Sequence, residues 1–424
     1  MTLTEPNLRE IGPPLDPEAI ETFLQNLRGQ LLCPGDDGYD AARRVWNAMI
    51  DRRPALIARC AGVADVIAAV AFARDRDLLV AVRGGGHNIA GSAVCDGGLM
   101  IDLSPMKGIR VDPELRTVWA EGGVTWGELD HETQAFGLAT TGGTVSTTGI
   151  GGLSLGGGFG WLARKHGVVC DNLLAADVVT ADGRFLHVDA DEHPDLFWGL
   201  RGGGGNFGIV TGFEFRLHPV GPTVLAGPLF HPIDAAPGLF RAFRDVGANA
   251  PEALGGMAAL LTLPDGPPAA AVVPVFCGPI EEGEATLRPL RAFGAPLADM
   301  LGPMPYRTMQ SLFDGAFPEG RRNYWKSGYM RSLPDAAIAI MADHFSRAPS
   351  PYAGIAVELY GGAANRAGNG ATAFPHRDYQ FNVLIFTAWD DPSQDQANID
   401  WARGFWRALR PVLADGVYVN YLGD

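Results

Sequence analysis

The residues in this chain best suited to chemistry are glycines set among hydroxyl and strand-forming neighbours. There are 56 glycines in 424 residues, crowded into residues 84–98, 142–160 and 199–212. In the first tract, Arg83-Gly84-Gly85-Gly86-His87-Asn88-Ile89 follows the apolar run LLVAV directly. Successive glycine N–H groups can curl around phosphate oxygens as an anion-binding concavity. Bare backbone can also approach a ligand more closely than any side-chain-bearing residue. The second tract, GGTVSTTGIGGLSLGGGFG, adds Thr144, Ser146, Thr147 and Thr148 as hydroxyl donors. Two such tracts suit a long, flat, dianionic ligand such as a flavin dinucleotide.

Other glycine motifs fit less well. Gly203-Gly204-Gly205-Asn206-Phe207-Gly208 satisfies GxGxxG by letter. That fingerprint requires a strand before it and a helix after it, so that the pyrophosphate meets a helix N-terminus. Here a short helical stretch (194–200) precedes, and the alternating strand IVTGFEFRL follows. No GxxxxGK[ST] or HExxH occurs. Gly152-Leu153-Ser154-Leu155-Gly156 matches a nucleophile elbow by letter, but without its strand–turn–helix context.

The elements that must carry these tracts alternate early in the chain. Strands are expected at 54–60, 78–82, 99–103 and 116–121, with a helix over 63–75. Thr125 followed by Glu128 reads as a capping box for a helix running to Phe136. Asp182-Gly183 reads as the turn of a hairpin. After about residue 220 proline becomes more frequent, and apolar segments alternate with polar helices. Residues 379–389 read as a buried strand and Ser393 opens an amphipathic helix. The expected class is α+β: a cofactor-binding domain over 1–222, a substrate domain over 223–410 with an antiparallel sheet covered by helices, and a C-terminal return over 411–424.

Bulk properties narrow the partners. A formal charge of -15 disfavours nucleic acid and anionic membrane. No apolar run reaches the ~18 residues of a membrane-spanning helix. The start, MTLTEPNLREIGPPLD, lacks the basic and apolar regions of a secretory signal. Five scattered cysteines without CxxC fit a reducing, cytoplasmic setting. Cys95 reads as structural, and His131, His166, His187, His193 and His218 as surface or internally satisfied histidines.

At four stretches the resemblance to a family becomes specific. Residues 54–220 resemble the FAD-binding domain of p-cresol methylhydroxylase and vanillyl-alcohol oxidase relatives, in the berberine bridge enzyme-like branch. The matching stretches are Arg83–Asn88, Gly167-Val168-Val169-Cys170-Asp171-Asn172, Gly205–Val210 and Tyr418-Val419-Asn420-Tyr421. The resemblance implies FAD linked doubly, through His87 and Cys170. It implies a cofactor site of Arg83, Gly84, Gly85, Gly86, Asn88, Ile89, Thr144, Val145, Thr148, Gly149, Gly152, Gly160, Asn172, Gly208, Val210 and Asn420. It implies hydride transfer from an alcohol, sugar or natural product, with dioxygen as acceptor. Tyr421 matches the family's base, and would need its phenolate stabilised, because an ordinary tyrosine titrates near ~10. Aromatic content and resemblance place Tyr324, Trp325, His376 and Tyr418 in the substrate pocket. Leu384 falls where some relatives carry a second polar or acidic group, which leaves the proton to Tyr421. Relatives continue some tens of residues past the tyrosine motif, so the tail is expected to be short here. A cyclase or rearrangement catalyst without net oxidation is the alternative.

Overall fold

The computed structural model describes residues 15–264, 266–368 and 370–423. The first 14 residues of the segment read for a leader lie outside them, as does Asp424.

The first sheet has four strands, in the order Gln30–Leu32, Leu56–Arg59, Leu99–Asp102, Val80–Arg83. The last three run parallel. Parallel neighbours need a crossover, and the helix Val63–Arg74 supplies it. Its Val66, Ala69, Val70 and Phe72 are buried against Leu56, Ala58, Leu99 and Ile101. Each of the larger side chains among these contributes roughly 1.5–3 kcal/mol on leaving water. The strand Val80–Arg83 therefore ends at a fixed point, and the first glycine tract leaves from it.

The second sheet is antiparallel, in the order Ile109–Asp112, Thr117–Glu121, Ile209–Arg216, Leu173–Val179, Phe185–Asp189. The capping box forms as the sequence suggests: Thr125 N donates to the Glu128 carboxylate at 2.8 Å and starts the helix Trp126–Gln134. Gly203–Gly208 follows the helix Pro194–Leu200 and leads into the strand Ile209–Arg216, so the Rossmann context is absent.

The third sheet carries the rest of the chain. Its central strands are Pro268–Phe276, Leu254–Thr262, Gly354–Leu359, Phe381–Trp389 and Arg322–Met330, all antiparallel. Side chains alternate between its two faces. One face, with Leu254, Ala258, Val272, Val357, Val383 and Tyr324, packs under the helices Ala236–Asn249, Ile280–Arg291, Asp335–Phe345 and Asp395–Leu409. The other, with Met257, Ala356, Leu384 and Trp325, turns toward the glycine tracts. No described helix is long and apolar enough to cross a membrane.

Candidate active site

Two glycine tracts meet backbone to backbone. A Cβ on Gly85 would lie 2.5 Å from Gly149 N, and one on Gly149 would lie 2.4 Å from Gly85 N. Neither position tolerates a side chain, because main chain cannot swing aside. Arg83 fixes the turn from below: its guanidinium pairs with Asp102 at 2.8 Å and donates to the carbonyls of Ala42 at 2.6 Å and Arg44 at 3.0 Å.

Between this crossing and the third sheet lies a cavity of about 1200 Å³. That exceeds the ~300–1,000 Å³ of an ordinary small-ligand pocket, so a long cofactor and a substrate can share it. Gly84, Gly85, Gly86, His87 and Asn88 line it from the first tract. Thr144, Val145, Thr148, Gly149 and Gly152 line it from the second, and Gly208, Val210, Asn420 and Tyr421 complete this wall. A Cβ on Gly152 would meet nothing within 4 Å.

Four expected cofactor residues do other work. Arg83 lines a smaller cavity on the far side of the turn rather than the large one. Ile89 is buried, and its carbonyl accepts from Asn47 Nδ2 at 2.9 Å. Gly160 permits backbone packing, since a Cβ there would lie 2.1 Å from Gly142 O. Asn172 is buried; its Nδ2 donates to the carbonyls of His166 and Val168, both at 3.1 Å, and its Oδ1 lies 2.7 Å from His218 Nε2. His218 is thus internally satisfied as read, whereas the buried Nε2 of His166 has no partner, which corrects the reading of that histidine. His166 and His218 stack at 3.9 Å, and burial drives both well below the ordinary imidazole range.

His87 is held for a partner the protein does not supply. Its ring stacks on Trp46 at 4.4 Å and 19°, and its buried Nε2 has no hydrogen-bond partner. Burial pushes its pKa down to about 4, so the imidazole is neutral and can act as a nucleophile.

Cys170, expected as a second link, is placed differently from His87. Its side chain is fully buried in a cluster with Phe159, Tyr360, Phe374 and Tyr418, and it is not among the residues lining the cavity. Burial raises the thiol to about 12, further from the reactive thiolate. The cause is the anchoring of the Gly167–Asn172 turn: Asp171 pairs with buried Arg377 at 2.6 Å, and Asn172 ties down the neighbouring carbonyls.

The opposite wall holds a group that the sequence reading missed. Tyr421 Oη donates to Glu358 Oε1 at 2.8 Å, and Asn382 Nδ2 donates to Glu358 Oε2 at 2.6 Å. Glu358 is 1% exposed. Burial raises its pKa to about 7, opposed by the hydrogen bonds from Asn382 and Tyr421. Tyr421 is itself pushed well above 10 by burial and the adjacent carboxylate. The surroundings therefore favour a protonated Tyr421 that donates to the carboxylate rather than the expected phenolate. Glu358 had one signal in the sequence, a lone acid inside the apolar strand Gly354–Leu359. A charge there is costly unless it has partners.

The expected substrate residues separate along the same alternation. Trp325 lines the cavity, 5.6 Å and edge-on from Tyr421. Tyr324 faces the helices instead, where Arg403 Nε donates to its hydroxyl at 2.9 Å. His376 packs on Tyr329 at 4.3 Å, away from the cavity. Tyr418 is a buried strut: its hydroxyl accepts from Phe159 N at 2.8 Å and from Asn420 Nδ2 at 2.9 Å. Leu384 does line the cavity, and the acid comes from the neighbouring strand.

This fold and cavity define a dinucleotide-flavin enzyme. Residues 54–189 match the family described as FAD binding domain. An FAD-linked oxidoreductase of Dictyostelium discoideum is 31% identical over 95% of this chain and 88% of its own. (R)-6-hydroxynicotine oxidase of Paenarthrobacter nicotinovorans is 32% identical over 86% of this chain and 80% of its own. The crystal structure of 6-hydroxy-D-nicotine oxidase from Arthrobacter nicotinovorans superposes with a TM-score of 0.85 at 28% identity, covering 94% of this chain and 90% of that one. A BBE-like protein of Physcomitrella patens shares the fold, with a TM-score of 0.87 at 24% identity over 95% of this chain and 91% of that one. The chain belongs to the FAD-linked oxidoreductases and is an enzyme, with the fold of the berberine bridge enzyme-like proteins. The residues present fit FAD: the glycine crossing accepts a phosphate-bearing chain, and the unpartnered imidazole of His87 stands at its edge.

Proposed function

We propose that this enzyme is an oxidase of a small molecule, with FAD attached through His87 alone and dioxygen as the final acceptor. The observation that carries this reading is the Tyr421–Glu358 pair, at 2.8 Å, opening on the same cavity as His87. FAD, when bound, would supply the acceptor for a hydride, which carries both electrons of the oxidation. The protein's residues handle the proton. A substrate O–H or N–H beside the reacting C–H donates to Tyr421 Oη, and the tyrosine passes its own proton to Glu358. A carboxylate with a pKa of about 7 takes that proton readily at neutral pH. Asn382 holds the carboxylate toward Tyr421. The aromatic and aliphatic side chains around the pair exclude water.

The positions of His87 and Cys170 support single attachment. Acid-precipitated protein should stay yellow, with a mass increase equal to one FAD. His87→Ala should release all its flavin in acid, and Cys170→Ala none. Oxygen uptake with peroxide release, in a screen of alcohols, amines and sugars, tests the oxidase reading. Product formed without oxygen uptake would select a cyclase instead.

A further inference from the structure

The fold neighbours include proteins described as a xylooligosaccharide oxidase and a 6-hydroxy-D-nicotine oxidase, so the fold alone does not choose a substrate. The lining of the sheet wall does. On the strand Leu254–Thr262, Met257, Ala259 and Leu261 alternate into the cavity. Ala356 faces Ala259 across the next pair, and Leu384 faces Ala356 across the one after. Phe386 and Trp325 pair at the following step. Phe317 closes the ring cluster, edge-on to Phe386 at 5.3 Å and to Trp325 at 5.7 Å.

Among the described residues of the five central strands, Glu358 and Thr262 are the polar side chains lining this wall, with Asn382 behind Glu358, and every other lining side chain is apolar or aromatic. Both oxygens of Glu358 are engaged, one by Tyr421 and one by Asn382. Toward the mouth stands Arg321, the one basic side chain besides His87 among the described cavity residues. It too is engaged: its guanidinium lies 3.6 Å from the Tyr352 ring centroid and pairs with Asp390 at 3.3 Å.

A sugar ring brings several hydroxyls, and each one buried without a partner loses its hydrogen bonds to water. Beyond Tyr421 and the Thr262 hydroxyl at the strand's end, the side chains of this wall supply no such partner, too few for the several hydroxyls of a sugar ring. We propose that the substrate is an apolar, ring-bearing molecule with a single O–H or N–H beside the reacting C–H, and that carbohydrates are rejected. The proposal rests on the oxidase reading for its chemistry and on the wall for its class. The ring lies against Trp325, Phe317 and Phe386, and its one donor reaches Tyr421.

Two measurements on the purified flavin-bearing enzyme test this. The first is kcat/KM for 2-naphthylmethanol and N-methylbenzylamine against glucose and xylobiose. A ring compound should exceed both sugars by roughly 10²-fold or more, since a site without polar partners discriminates that strongly. Which of the two is oxidised faster identifies the donor as O–H or N–H. Leu384→Gln, with flavin content as the check on folding, should raise KM for the ring compound roughly tenfold. A sugar oxidised as well as the ring compounds overturns the proposal and leaves the oxidase reading standing. The second measurement is quenching of tryptophan fluorescence by 2-naphthylmethanol and by xylobiose, without turnover. Quenching by the ring compound alone, with no oxidation of any probe, upholds the substrate class and sinks the oxidase reading. Equal quenching by both, or none by either, overturns the substrate class.

Discussion

The two walls of the cavity face each other across one space and are built from different parts of the chain. The cradle wall is backbone: Gly85 and Gly149 touch main chain to main chain, and Gly152 opens bare helix to the cavity. The sheet wall is side chain: alternation sends Trp325, Leu384 and Glu358 inward and Tyr324 and Val357 to the helices. Backbone contacts allow no adjustment, so the cradle should respond to substitution all-or-none. A side-chain wall is a graded surface, where a change alters rate or affinity while the fold persists.

The contrast breaks most visibly at Gly85. Gly85→Val should give no folded yellow protein, because its Cβ would lie 2.5 Å from Gly149 N. Soluble, flavin-bearing Gly85→Val would show that the cradle yields. At the sheet wall, Glu358→Gln and Tyr421→Phe should each fold and keep flavin, yet slow anaerobic flavin bleaching by ~10²–10⁴-fold. Their pH profiles separate them. Bleaching by the parent should rise with pH through about 7, as Glu358 ionises. Tyr421→Phe should keep a step of this kind and Glu358→Gln should lose it. Full-rate bleaching by Glu358→Gln would remove the carboxylate from the chemistry.

Stability gives a second reading of the same group. The folded pKa of Glu358 is raised, so its contribution is fully present below 4.5 and is lost as pH rises through about 7. Glu358→Gln should therefore resist denaturant better than the parent at pH 8, relative to pH 4.5. Gly152→Val sharpens the comparison from the cradle side. Its Cβ meets open space, so the protein should fold but carry less flavin, measured as the ratio of visible to ultraviolet absorbance. The smallest effect belongs to Cys170→Ala: flavin content unchanged and stability lower by about 1 kcal/mol. Flavin retained in acid by His87→Ala would return the cysteine to the cofactor site.

Local pattern was enough for much of the frame. Hydrophobic period and turn residues located the helix Val63–Arg74, the capping box at Thr125 and the hairpin at Gly183, because each depends on neighbours a few residues away. The glycine tracts were legible for the same reason: their density has no local use except close approach. Glu358 was not legible as a partner of Tyr421, 63 residues away in sequence. A carboxylate in an apolar strand shows that it needs partners but not which ones.

Cys170 and Tyr418 show the opposite limit. Their motifs marked them correctly as special, but a motif does not say toward which side a turn presents its side chain. The sequence by itself determined an α+β chain with a phosphate cradle and a histidine and a tyrosine to be positioned. Which of its cysteines, tyrosines and acids share the cavity was decided by tertiary structure. Strand pairing and the Asp171–Arg377 anchor set the direction of each side chain, and both link residues far apart in the chain.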